Sequence, residues 1–164
     1  MDGQVDRLRV GIGCDTHRLE KNSRRLILGG VEIAHPAGYG PVAHSDGDAV
    51  LHAVIDSLLG AAGLGDIGEL FPDSDPRYAD ADSTDLLAIA LGQCGNLSIL
   101  SLDMVVTCDH PKISPHKNAM KKRLAELLRV PPERINLKGK TWEGTLSGVE
   151  AVSVHAIVLA QVVC

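Results

Sequence analysis

Residues 43–76 read AHSDGDAVLHAVIDSLLGAAGLGDIGELFPDSDP. From Asp48 to about Ala62 the apolar residues Val50, Leu51, Val54, Ile55, Leu58 and Leu59 recur at helical spacing and form a broad face. A face that wide has to be covered by a sheet or by other helices. Asp48, His52 and Asp56 stand at i, i+4 and i+8, close to one stripe of the same helix. Carboxylates and imidazoles on so apolar a helix are costly unless they are paired or bind something. The helix thus fixes both a core and a candidate site.

On its N-terminal side, Val10, Ile12 and Cys14 alternate with glycines, which predicts a strand over residues 9–18. Leu26 to Ile33 reads as extended and is broken by the turn pair Gly29-Gly30, and residues 34–47 read as a loop. Beyond the helix, residues 63–81 are turn-rich. A second helix is expected from near Ser83, capped by Asp82 or Ser83, to about Gln93. Leu97–Cys108 reads as a strand, and a helix starts at Ser114-Pro115 and is closed by Pro131-Pro132. Ile135–Thr141 and Val149–Val163 complete the chain as strands. The pattern is mixed α/β in one domain over residues 1–164, without internal repeats.

Composition excludes several function classes. A formal net charge of −5 argues against a nucleic-acid partner, and Lys117, Lys121, Lys122 and Arg123 follow helical spacing as a solvated face. Phe71, Trp142, Tyr39 and Tyr78 are too few for a base-stacking platform. Cys14, Cys94, Cys108 and Cys164 show neither a CxxC pair nor a disulfide framework, which suits a reducing compartment. No signal-like apolar segment follows the charged start, and no run reaches the ~18 apolar residues of a membrane span. A cytoplasmic location is the expectation.

Asp15 and His17 lie two apart on the first strand, so both project from one face, with Cys14 on the other. Together with His52 they supply three N/O donors, the pattern of a catalytic Zn²⁺ site with an open fourth position. Asp56, one turn from His52, is expected to hold the free imidazole N–H. GDIGELFPDSDP, residues 65–76, offers backbone amides and carboxylates to hydroxyl groups. DHPKISPH, residues 109–116, and LKGKTWE, residues 137–143, put lysines and a hydroxyl at strand ends, where phosphate recognition is favoured. Glu143 is expected to hold a hard cation such as Mg²⁺. His44 stands at the mouth of the helix, whereas His35, His110, His116 and His155 show no ligand spacing.

Two familiar motifs fail. Gly139-Lys140-Thr141 lacks the earlier glycine of a P-loop, since Arg134 stands there. Gly11 and Gly13 lack the third glycine of a dinucleotide fingerprint, since Thr16 stands there.

GxDxH at 13–17, LGG at 28–30, AHSDGD at 43–48 with the run that follows it, PKISPH at 111–116 and LKGKTWE at 137–143 occur in one order along the chain. The chain resembles the 2-C-methyl-D-erythritol 2,4-cyclodiphosphate synthases of the non-mevalonate isoprenoid pathway. The resemblance implies a ferredoxin-like subunit, a mixed sheet with helices packed on one face, assembled as a homotrimer with active sites at subunit interfaces. It implies Zn²⁺ on Asp15, His17 and His52, transition-state stabilisation by His44 and Thr141, and Mg²⁺ or Mn²⁺ with the substrate diphosphate at Glu143. Implied substrate contacts are Asp15, Thr16, His17, His44, Ser45, Asp66, Ile67, Gly68, Phe71, Pro72, Asp73, Ser74 and Asp75. Further along they are Cys108, Asp109, His110, Pro111, Lys112, Ile113, Ser114, Lys140, Thr141, Trp142 and Glu143. The substrate would be 4-diphosphocytidyl-2-C-methyl-D-erythritol 2-phosphate, with CMP released.

The chain departs from this family after Glu143. GTLSGVEAV is shorter than the usual segment; Val149 or a gap replaces an arginine, and Leu146 an aromatic. With that positive group missing, weak or absent binding of prenyl diphosphates in the family's trimer-axis cavity is the expectation for this chain. A phosphohydrolase that uses the same zinc with water, or a nucleotide- or metal-sensing module, also fits the residues taken alone.

Overall fold

The computed structural model describes residues 7–21, 23–72, 74–145 and 148–163. Its main sheet has the order β4-β1-β7-β5-β6, built from β1 Leu8–Lys21, β4 Tyr39–Pro41, β5 Leu97–Cys108, β6 Ile135–Lys140 and β7 Ala151–Val162. β5 and β6 run parallel, and the remaining pairs are antiparallel. β2 Ile27–Leu28 and β3 Val31–Glu32 form a separate hairpin around Gly29-Gly30. The helices α1 Ala49–Ala62, α2 Ile67–Leu70, α3 Ser83–Gln93 and α4 Lys117–Leu128 complete the described elements. The expected mixed sheet with helices on one face is present.

α1 forms where the sequence predicts it. Asp48 is its N-cap and accepts from the N–H groups of Val50 and Leu51, and Gly63 ends it at φ 73°. Val50, Leu51, Val54, Ile55, Leu58 and Leu59 are all buried, each side chain worth about 1.5–3 kcal/mol over exposure. Val152, Val154, Ala156 and Val158 of β7 and Met104 and Val106 of β5 belong to the same core.

Gly11 and Gly13 of β1 have a packing reason. A Cβ on Gly11 would fall 1.8 Å from the Ser57 carbonyl oxygen, and one on Gly13 would fall 2.0 Å from that of Ala53. Without side chains, strand and helix backbones approach directly, which brings His52 of α1 beside Asp15 and His17 of β1.

Some local expectations are refined. β4 lies inside the segment expected to be a loop; Pro41 is tolerated there because β4 is an edge strand. The turn-rich stretch contains α2 and a 3₁₀ turn at Pro76–Tyr78. Ser114–His116 is a 3₁₀ turn leading into α4, which ends with Arg129 at φ 55° before the prolines. The last strand begins at Ala151, two residues later than predicted.

The second face of the sheet carries apolar side chains exposed to solvent in the single chain: Val10 is 66 % exposed, Ile12 64 % and Ile157 49 %. Among the described residues, no helix is long and apolar enough to cross a membrane.

Candidate active site

Asp15 and His17 point from β1 toward the helix layer, where α1 presents His52. Asp15 Oδ2 lies 2.9 Å from His17 Nε2 and 3.1 Å from His52 Nδ1, and the two nitrogens are 3.5 Å apart. Metal–ligand distances of about 2.0–2.1 Å in a tetrahedral site place neighbouring donors about 3.3 Å apart. The triangle therefore matches one face of a zinc tetrahedron, and the three residues fit the ion in donor type as well.

Burial would raise the Asp15 carboxyl, but hydrogen bonds and charge from His17 and His52 overcome it and hold it well below the usual range. Burial would lower His52, yet the hydrogen bond that it donates to Asp15 and the charges of Asp15, Asp48 and Asp46 hold it above its ordinary value. The cluster favours the charged pair.

Each carboxylate around this helix has a distinct job. Asp48 is fully buried; besides the helix N–H groups it accepts from Gly29 N at 2.8 Å and Gly30 N at 2.6 Å. It thereby ties the β2–β3 turn to α1. Asp56 does not hold the His52 ring, contrary to the sequence expectation. Its Oδ1 accepts from Ile67 N at 2.8 Å, fixing the start of α2. The outer nitrogen of His52, Nε2, instead meets Ser83 Oγ at 2.9 Å and Ser45 Oγ at 3.2 Å. Ser83 in turn donates a short hydrogen bond to Asp46 Oδ1.

Ser83 and Asp46 are not among the site residues expected from the sequence. The available signal is the choice of cap for α3: Asp82 accepts from Thr84 N at 2.7 Å and is the cap, which leaves Ser83 free to face inward.

The triad opens into a cavity of about 430 Å³ that His44, Ser45, Ile67, Gly68 and Phe71 help to line. These expected contacts lie together. Asp66 caps α2 through Glu69 N, Ser74 is exposed and Asp75 pairs with Arg77. Asp73 lies outside the described residues. Thr16 points to the opposite face of β1, where its hydroxyl meets Ser153 Oγ at 2.7 Å, so its side chain is not in this cavity.

The remaining expected contacts gather elsewhere. Asp109, His110, Lys112 and Thr141 line a second cavity of about 420 Å³ with Tyr39, Val149 and Glu150. Asp109 Oδ1 accepts from Trp142 N at 3.0 Å, and Thr141 donates a short hydrogen bond to Glu143. Lys140 is exposed at the end of β6, and Pro111 and Ser114 flank Ile113. Cys108 and Ile113 are buried in the core, so only their backbones are available to a ligand. β7 and β5 separate β1 from β6, so Thr141 and Glu143 follow a strand three places, about 14 Å at ordinary strand spacing, from the one that carries Asp15 and His17. Within one chain the expected site residues are thus divided between two cavities. Of the segment that departs from the family, Val149 is 48 % exposed, and Leu146 lies outside the described residues.

The chain matches the YgbB family over residues 8–161. It is 47% identical over 157 residues to the 2-C-methyl-D-erythritol 2,4-cyclodiphosphate synthase of Dechloromonas aromatica, covering 93% of this chain and 96% of that one. The synthase of Aquifex aeolicus is 46% identical over 156 residues, covering 94% and 98%. A solved structure of such a synthase in a CDP-bound form superposes with a TM-score of 0.84 at 44% identity, covering 93% of this chain and all of that one. The chain belongs to the YgbB family, among the 2-C-methyl-D-erythritol 2,4-cyclodiphosphate synthases.

Proposed function

We propose that this chain converts 4-diphosphocytidyl-2-C-methyl-D-erythritol 2-phosphate to 2-C-methyl-D-erythritol 2,4-cyclodiphosphate and releases CMP. The observation that carries the reading is the donor triangle of Asp15, His17 and His52, with an open side toward a cavity. An oxygen of the 2-phosphate attacks the β-phosphorus, the bond from that phosphorus to the bridging oxygen breaks, and CMP leaves with that oxygen. Such a step needs positioning and charge neutralisation more than a side-chain nucleophile. Bound Zn²⁺ at the triad, and Mg²⁺ or Mn²⁺ at Glu143, would supply Lewis acidity and a template for the phosphate oxygens. His44 and Thr141 donate to the oxygens on which charge builds up, and Lys112 and Lys140 offset the charge of the diphosphate. Asp66, Ile67 and Gly68 offer a carboxylate and backbone N–H groups to substrate hydroxyls, and the 108–114 loop supplies further substrate contacts.

The active protein is a homotrimer in this reading, with each site shared by two neighbours. Two observations support it. Among the described residues, the sheet face carrying Val10, Ile12 and Ile157 is exposed in one chain, and expected site residues line two separate cavities. The unpaired thiols of Cys14, Cys94 and Cys108 suit the cytosol. Mixing His52→Ala with Thr141→Ala, each inactive alone, tests the shared site. Recovery of CMP release on subunit exchange is expected, and a mixture that stays inactive while exchanging subunits contradicts it.

A further inference from the structure

His52 must present a lone pair at Nδ1 to bind a metal beside Asp15 and His17, which requires its proton to sit on Nε2. The groups around Nε2 enforce this. Ser83 is fully buried, and its Oγ lies 2.9 Å from His52 Nε2. A serine hydroxyl has one proton, and Ser83 gives it to Asp46 Oδ1 in a short hydrogen bond. Asp46 is held in place for that role, accepting from Ser83 N at 3.0 Å and from Asp48 N at 3.1 Å. With its proton committed, Ser83 can only accept from His52. Ser45 Oγ, which accepts from Gly47 N, lies farther from Nε2 at 3.2 Å and keeps a rotatable proton that can turn away, so it can serve as a second acceptor beside Ser83.

We infer that Ser83, oriented by Asp46, is a positioning residue that accepts the Nε2–H of His52 and commits Nδ1 to the metal. The inference rests on the metal reading above and extends it to two residues outside the donor triangle and outside the lining of the cavity beside it. The relay serves the metal-loaded state in particular. In the metal-free protein Asp15, 3.1 Å from Nδ1, competes for the same proton. Ser83 and Asp46 weight the balance toward the ligating tautomer. Hydrogen-bond partners of this kind typically change metal affinity by roughly 10–100-fold.

The test uses the full chain as parent, Ser83→Ala and Asp46→Asn. Zinc affinity is measured by competition with a chelator, the His52 Nε2–H proton is followed by NMR of the zinc-loaded protein, and melting of the metal-free forms is the control. The cap of α3 at Asp82 is untouched by either change. The expected result is a loss of roughly 10–100-fold in zinc affinity in both variants, with a shifted and faster-exchanging Nε2–H. Either variant binding zinc as tightly as the parent overturns the inference. So does a loss of affinity that leaves the Nε2–H signal unmoved and tracks only a loss of metal-free stability. A parent that takes up no zinc would sink the metal reading itself, whereas a zinc-binding parent matched by its variants would sink only the relay.

Discussion

Gly13 of β1 lies directly against the backbone of Ala53 of α1, so close that a Cβ would fall 2.0 Å from the Ala53 carbonyl oxygen. His52 precedes Ala53, and Asp15 follows Gly13 by two residues on the same strand face. The contact therefore sets the spacing between the two halves of the candidate metal triangle. Gly13→Ala must push helix from strand, at a cost of about 1–3 kcal/mol for overpacking. Thermal melting is expected to show that loss, and zinc affinity should fall with it. A variant with parent stability and parent affinity would show that the approach is not what positions His52.

Metal uptake should depend on pH with a definite sign. In the metal-free protein, Asp15 is held below its ordinary 3.8, so its stabilisation is present above that pH and lost as pH falls through the folded value. His52 is held above 6.5, so its contribution is full below 6.5 and lost as pH rises through the folded value. Zinc displaces the His52 proton, and its stabilising effect runs the other way. The rise in melting temperature on adding zinc should be small below pH 6.5 and grow above it. His52→Ala should abolish that rise at every pH, with no bound metal by elemental analysis.

Asp56 accepts from Ile67 N rather than from the imidazole. Asp56→Asn is therefore expected to keep near-parent zinc affinity while loosening the 63–68 segment, seen as faster amide exchange at Ile67. Zinc affinity reduced as far as in Ser83→Ala would return Asp56 to the role the sequence suggests.

Thiol reactivity reports both core and assembly. Burial pushes the Cys108 thiol up to about 12, so alkylation at mildly alkaline pH should wait for unfolding. Cys14 is exposed in the single chain, on the sheet face proposed to be covered in the trimer. Its labelling should be slow in the assembled protein and fast once dilution dissociates it. Equal rates in both states, checked by sedimentation, would argue that this face stays open.

Much of the fold is legible because apolar periodicity is strong: α1 and the Leu97–Cys108 strand fall where their patterns predict. β4 escapes because a three-residue edge strand of Tyr, Gly and Pro has no pattern to detect. The triad is legible because strand alternation and helical stripe each constrain direction. The partner of His52 is not, because the i+4 stripe offers Asp56, whereas tertiary packing brings Ser83 from α3. Spacing within one element cannot reveal a contact between two. The division of the remaining expected site residues is hidden for the same reason, since β7, last in sequence, inserts between β1 and β5.

Ring closure at the β-phosphorus is read directly by phosphorus NMR. The purified chain, loaded with zinc, is incubated with 4-diphosphocytidyl-2-C-methyl-D-erythritol 2-phosphate and Mg²⁺. The expected result is the paired signals of a cyclic diphosphate appearing in step with CMP. A linear phosphate product, with water as nucleophile, would contradict it, as would tight binding of the substrate without turnover.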